Sequence, residues 1–401
     1  MKSEWYVSTI DDVCLLVTDG AHNSPPSVEN GEYMASVKDF AEYGFDFSTC
    51  KRISSEDYSK LEKQGCVPNI GDVLVGKDGA RYFEDIVIYK QPERPALLSS
   101  IAILRVNPEI ITSEFLYYTL KSPAVKKDVR DNYGSGSAIP RIVLKDFKRM
   151  PIRYPSIEDQ RKITLIFEAI DAKIDLNNRI NDNLEQQAQA LYQELFITNT
   201  DPSWETGTIS NLGTVIGGST PSKARPEYYT KNGIAWITPK DLSINKSKFI
   251  THGESDITEL GLKNSSATVM PEGTVLFSSR APIGYIAIAA GNITTNQGFK
   301  SVVPNAEIGT AYVYYYLKQN LSMIERLASG STFKEVSGGT MKSVPAIVPD
   351  SKTIQEFNNF CLPIFEQQKV LETQNRTLAG LRDSLLPKLM SGELDVSAVE
   401  L

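Results

Sequence analysis

Two stretches of this chain place apolar residues at alternating spacings of four and three. In the first, Ile163, Phe167, Ile170, Ile174, Asn177, Asn181, Leu184, Ala188, Leu191 and Leu195 hold the spacing without a break. In the second, 194 residues further on, Phe357, Cys361, Ile364, Gln368, Leu371, Asn375, Leu378, Arg382, Leu385 and Leu389 repeat it. A heptad seam this long predicts a helix that packs against another helix in a left-handed coiled coil. Asn181 and Asn375 share one phase, and an Asn buried in such a seam costs stability while fixing register. At ~1.5 Å per residue each helix would be ~50 Å long. That exceeds the width of a domain of ~150 residues, so the natural partner of each helix is its twin. Bundle helices packed each on its own domain are the alternative.

Outside the seams the pattern is short and alternating. Asp72-Val73-Leu74-Val75, Asp85-Ile86-Val87-Ile88-Tyr89, Ser100-Ile101-Ala102-Ile103-Leu104, Thr274-Val275-Leu276-Phe277 and Tyr285-Ile286-Ala287-Ile288 read as strands punctuated by Gly, Pro, Asn and Asp. These segments also repeat. Trp5 and Ile10 match Trp204 and Ile209, Gly71-Asp72-Val73-Leu74 matches Gly273-Thr274-Val275-Leu276, and Pro151 and Pro155 match Pro345 and Pro349. The offset drifts only between 194 and 202, which indicates duplication of a whole module rather than a solenoid. The expected fold is mixed α+β: two tandem β-rich domains, each followed by a long helix. The helices should pair as an antiparallel coiled coil about a pseudo-two-fold, giving a dumbbell with a rigid spacer. The expected limits are 1–160 for the first domain, 161–198 for the first helix, 199–350 for the second domain, 351–392 for the second helix, and 393–401 for a tail.

Composition changes this picture little. With 401 residues, 41% hydrophobic and 23% charged, the chain is ordinary globular protein. No apolar run approaches the ~18 residues of a spanning helix, and Met1–Trp5 lacks the start of a secretory leader. Four cysteines, Cys14, Cys50, Cys66 and Cys361, form no CxxC, so a reducing cytoplasm is expected and a disulfide framework is not. The net charge of −7 argues weakly against a simple nucleic-acid binder. Residues 125–153 depart from it, with eight basic side chains against three acidic ones. Such a patch can hold phosphate on an acidic chain, or it can be a solvated face.

Catalytic patterns are missing. Two histidines, His22 and His252, cannot build a His-rich metal or triad site, and no GxxxxGK[ST] loop is present. Asn23-Ser24-Pro25-Pro26 reads as a turn. Lys38-Asp39 and Lys240-Asp241 are poor acid–base couples, since neighbours on a strand face opposite sides. What recurs instead is polar loop chemistry at matching places in both modules. Thr18, Asp19, His22, Ser36, Lys38, Lys77, Arg81, Ser135, Ser137 and Arg141 are the candidates in the first module. Ser219, Thr220, Ser222, Thr238, Lys240, Arg280, Asn296, Gln297, Ser331 and Lys334 are those in the second. These side-chain types grip phosphates and contact base edges, although any one of them could serve an ordinary turn.

Set in order, the motifs resemble the specificity subunits of Type I restriction–modification systems. They are Thr18-Asp19-Gly20-Ala21-His22 with Pro25-Pro26 and Ser36-Val37-Lys38-Asp39, then Gly217-Gly218-Ser219-Thr220-Pro221-Ser222, Trp236-Ile237-Thr238-Pro239-Lys240-Asp241-Leu242, Asn296-Gln297-Gly298-Phe299 and Leu385-Leu386-Pro387-Lys388-Leu389-Met390-Ser391-Gly392-Glu393-Leu394. The resemblance spans essentially the whole chain. It implies that each domain reads one half of a bipartite site in double-stranded DNA. The helices would set the gap and dock two modification subunits. Those subunits would carry S-adenosylmethionine for adenine methylation, and motor-nuclease restriction subunits would add ATP and Mg. The chain itself would hold no cofactor, metal or catalytic residue, and would serve host defence away from membranes. The first module departs from the pattern, with Asp19-Gly20 against Gly217-Gly218 and Ser99-Ser100-Ile101-Ala102 against the Asn-Gln-Gly-Phe run, so the two half-sites should differ. From the residues alone, a coiled-coil scaffold presenting two protein- or glycan-binding domains is the competing reading.

Overall fold

A computed structural model of the chain describes residues 4–41, 43–134, 140–330, 334–397 and 399. It divides into two units: residues 1–173 with 378–401, and residues 174–377. Each unit holds one β-rich domain and a stretch of both long helices.

In the first unit, a four-stranded antiparallel sheet runs in the order Cys14–Asp19, Ile101–Val106, Val73–Gly76, Ile86–Ile88. Val73, Leu74 and Val75 are buried on both faces, which is why this central strand reads as an unbroken apolar run. One face packs on the helix Ser113–Lys121 through Phe115, Leu116 and Leu120. A smaller sheet pairs Glu32–Ala35 antiparallel with Lys51–Ile53 and parallel with Ala96–Leu97. Tyr6–Thr9 closes the domain against Pro151–Tyr154 just before the long helix begins.

The second unit repeats the plan. Its sheet runs Gly213–Gly217, Lys300–Pro304, Val275–Ser279, Ile283–Ala289, Phe249–Ile250. Trp236–Ile237 lies parallel to Thr294–Thr295, as Glu32–Ala35 does to Ala96–Leu97. Glu205–Thr208 pairs with Pro345–Val348, the counterpart of Tyr6–Thr9 with Pro151–Tyr154. Its core is strongly aromatic: Tyr192, Phe196, Tyr312, Tyr315 and Phe357 are all buried together.

The long helices are Ile157–Tyr192, prolonged by a wider π-helical turn over Gln193–Thr198, and Ser351–Met390. Within each unit their segments run antiparallel. In the first, Arg382 Nη1 donates to Asp171 (2.7 Å), and past the end of the second helix the Ser397 carbonyl accepts from Lys162 Nζ (3.5 Å). In the second, Asn177 meets Asn375, and Gln368 Nε2 donates to the Asn181 carbonyl. Ile163, Phe167, Ile170, Phe357, Ile364, Leu371 and Leu389 are buried, while Ile174, Leu184, Leu191, Leu195, Leu378 and Leu385 are half-buried. The asparagines sort differently from the phase argument. Asn177, fully buried, donates to Asn375 Oδ1 at 2.8 Å; Asn181 is only half-buried and engages through its backbone. Two antiparallel helices bring opposite positions together, so equal phase at Asn181 and Asn375 does not make them partners. Among the described residues, no helix is long and apolar enough to cross a membrane.

Candidate nucleic-acid interface

Both units gather polar loops at the same edge of the main sheet, and backbone hydrogen bonds give the correspondence residue by residue. Gly20 N–H donates to Ile101 O, Ala21 to Leu97 O, Leu98 to Ala35 O, and Lys77 to Ser100 O. Gly218 N–H donates to Phe299 O, Ser219 to Thr295 O, Asn296 to Ile237 O, and Ser279 to Gly298 O. The counterpart of Asn296-Gln297-Gly298-Phe299 is therefore Leu98-Ser99-Ser100-Ile101, one residue earlier than the sequence alignment placed it. Short strands align ambiguously by pattern, and only the ladder fixes register. Gly20 and Gly218 have one purpose: a Cβ there would lie 2.2 Å from Leu97 O and 2.0 Å from Asn296 O.

Around this shared frame the side chains differ. In the first unit, Lys77 and Asp19 form a nearly buried ion pair (3.3 Å), and exposed His22 reaches the other Asp19 oxygen (3.3 Å). Lys77 also lies 3.8 Å from Asp78. Thr18, Asp19 and His22 line a cleft of ≈ 570 Å³ with Ser24, Lys60 and Gln64. In the second unit the charges stand elsewhere. Glu335 takes Arg280 (3.3 Å) and Lys300 (3.4 Å), and Gly217, the counterpart of Asp19, faces Lys300 across the ladder. Ile142 N–H donates to Lys77 O and Val336 N–H to Ser279 O, so Asp78 and Arg141 occupy the places of Arg280 and Glu335. The signs at the two positions are exchanged between units. Lys300 and Glu335 were not among the sequence candidates. They lie 35 residues apart, and nothing local marks them as partners.

Several candidates have local work. Ser36 and Thr238 are helix caps: each hydroxyl donates to Asp39 Oδ2 (2.9 Å) or Asp241 Oδ2 (2.6 Å), and the backbone N–H of each residue donates to the same oxygen. Lys38-Asp39 and Lys240-Asp241 thus sit in helical turns, not strands, with the aspartates buried. Lys38 is exposed; Lys240 pairs with Glu254 at the surface (2.6 Å). Arg81 is held bidentately by Asp85. Thr220 donates its hydroxyl to Gln297, and Asn296 Oδ1 accepts from Gly298 N–H (2.8 Å); Ser222 and Lys334 are exposed. Ser135, Ser137 and Ser331 lie outside the described residues. The basic patch over 125–153 is partly neutralised by acids from elsewhere in the domain and from within the patch. Lys126 and Arg130 engage Glu84, Lys148 engages Asp11, and Arg149 engages Asp146.

Comparison with known proteins follows this duplicated geometry. The family model described as Type I restriction modification DNA specificity domain matches the chain twice, over residues 2–186 and 202–376. The Type I restriction enzyme MjaIX specificity subunit of Methanocaldococcus jannaschii is 40% identical over 167 residues, which cover 41% of this chain and 38% of that one. The HindI specificity subunit of Haemophilus influenzae is 25% identical over 368 residues, 73% of this chain and 80% of that one. The crystal structure of a Type I restriction–modification S subunit from M. genitalium superposes with a TM-score of 0.59, covering 96% of each chain. At 14% identity that likeness concerns the fold alone.

Proposed function

The chain belongs to the family of the Type I restriction modification DNA specificity domain, and from that premise we propose that it is the DNA-reading subunit of a Type I restriction–modification complex. Each domain contacts one half of a bipartite, asymmetric double-stranded site through its loop edge. The observation that carries this reading is the exchange of charge on an unchanged frame. Lys77, Asp78 and Arg141 stand where Ser279, Arg280 and Glu335 stand in the other unit. Two readers of one plan with different side chains at the same edge suit two different half-sites, because base edges are distinguished by donor and acceptor pattern.

In this proposal the chain performs no covalent chemistry. Two modification subunits dock on the helices and bring S-adenosylmethionine to the target adenines. Restriction subunits, where they join, bring ATP and Mg. The complex works in the cytoplasm. Partner subunits also supply much of the phosphate neutralisation that a chain of net charge −7 lacks. The scaffold reading has no support from the family match.

The test is a map of adenine methylation in DNA from cells carrying the methyltransferase partner, with and without this chain. Two short blocks around a fixed gap, methylated only when the chain is present, are the expected result. An active methyltransferase whose pattern ignores the chain would refute the proposal.

A further inference from the structure

Lys248 of the second domain is lost from solvent at its ammonium end while touching both long helices. Its side chain is 7% exposed. Nζ donates to Glu185 on the first helix and to Gln368 Oε1 on the second (2.7 Å), and reaches the Tyr315 hydroxyl at 3.4 Å. The backbone N–H groups of Lys248 and Phe249 both donate to Glu372 of the second helix, at 2.8 and 3.0 Å. Glu185 also accepts from Tyr315 (2.8 Å) and Lys318 (2.6 Å), so the helix of the domain joins the same knot. The ring of Phe365 sits 4.4 Å from Nζ and closes it from water. All these residues lie within the second unit.

The first unit docks its domain otherwise. Tyr118, the counterpart of Tyr315, donates to Asp171 (2.8 Å), which takes Arg382 from the other helix (2.7 Å). That knot ties the helix Ser113–Lys121 to both long helices, whereas in the second unit Lys248, next to the edge strand Phe249–Ile250, ties the sheet in as well. The asymmetry matters because an apolar contact can slide by a fraction of a residue at little cost. A buried cation with fixed acceptors on two helices cannot, since any shift leaves a desolvated charge without partners.

We propose that Lys248 is a positioning residue that fixes where the second reader sits along the helix pair, and so makes the gap between half-sites a single value. This rests on the specificity-subunit reading above.

The experiment uses the full chain with its methyltransferase partner and a set of DNA duplexes. Each carries both half-sites, with the native gap or a gap one or two base pairs shorter or longer. Lys248→Met keeps the unbranched apolar stem of the side chain and removes its ammonium group. Glu372→Gln disturbs the same knot from the helix side with less risk to folding. Both are expected to raise methylation of off-gap duplexes roughly tenfold relative to the native gap, with both half-site sequences unchanged. Native-gap selectivity kept by either folded variant would overturn the proposal. So would loss of methylation at every gap by folded protein, or failure of both variants to fold, each of which would assign the knot to stability alone. If the unmodified chain directs no bipartite methylation, the function reading fails instead, which separates the two.

Discussion

Alanine at Gly218 should disable one half of recognition and spare the other. The added Cβ would sit 2.0 Å from Asn296 O, 2.4 Å from Thr295 Oγ1 and 2.5 Å from Thr295 O. Two of these atoms are backbone, so no side-chain rotation relieves the clash. Reaching ordinary contact near ~3.4 Å means opening the loop by more than ~1 Å, at about 1–3 kcal/mol for an overpacked site. The same movement pulls at the hydrogen bond from Ser219 N–H to Thr295 O (2.9 Å), worth about 1 kcal/mol more. A total of about 3 kcal/mol corresponds to a Tm lower by about 6–12 °C for a unit of this size. The loops displaced carry Ser219, Thr220, Asn296 and Gln297, four of the candidate contacts of the second module. Calorimetry would report the destabilisation, and methylation of duplexes altered in one half-site at a time would report which half lost discrimination. Gly218→Ala is expected to relax the second half-site alone. Gly20→Ala, with its Cβ 2.2 Å from Leu97 O, is expected to relax the first alone. A Tm within a degree of the parent with both half-sites still discriminated would refute the steric reasoning, and relaxation of both halves by either variant would refute the modular one.

Other perturbations follow from single contacts. Lys77→Met leaves Asp19 nearly buried without its main cation, and about 3 kcal/mol of stability should be lost, read by denaturant unfolding. Replacing Asn177 and Asn375 together by Leu should raise stability by about 1–2 kcal/mol, read as a higher Tm, because it exchanges a buried asparagine and its half-buried partner for apolar packing; Asn177→Leu alone should not match that gain. Burial alone would raise the Glu185 carboxyl, but Lys248 and Lys318 outweigh it and hold it at about 2, against an ordinary 4.5. Its contribution, about 3 kcal/mol, is fully present above pH ~4.5 and lost as pH falls toward ~2. Burial moves Glu372 the other way, so the Glu185 contribution is isolated by comparing the acid unfolding of the parent with that of Glu185→Gln, whose difference should shrink across that window. DNA affinity should fall steeply with salt, measured by titration at several ionic strengths; a flat response would refute phosphate contact.

Much of the architecture was legible along the chain because its causes are local or periodic. The heptad spacing from Ile163 to Leu195 and from Phe357 to Leu389 declares two long helices, since a 3.5-residue repeat buries one face only against another helix. The 194-to-202 offset declares two copies of one domain. The caps at Ser36 and Thr238 are four-residue motifs and so are legible too. The tertiary structure decided which distant residues became partners. It set Asn177, not Asn181, against Asn375. It moved the first module's counterpart of Asn296 to Leu98, and it put Arg141 where Glu335 stands. It carried Lys248 into contact with residues 63 and 120 positions away. Side-chain periodicity specifies a face and a repeat, but an ion pair or a ladder register depends on how separate segments are brought together in space. Sequence alone therefore determined the kind of molecule, and the folded chain determined which residues stand at each edge.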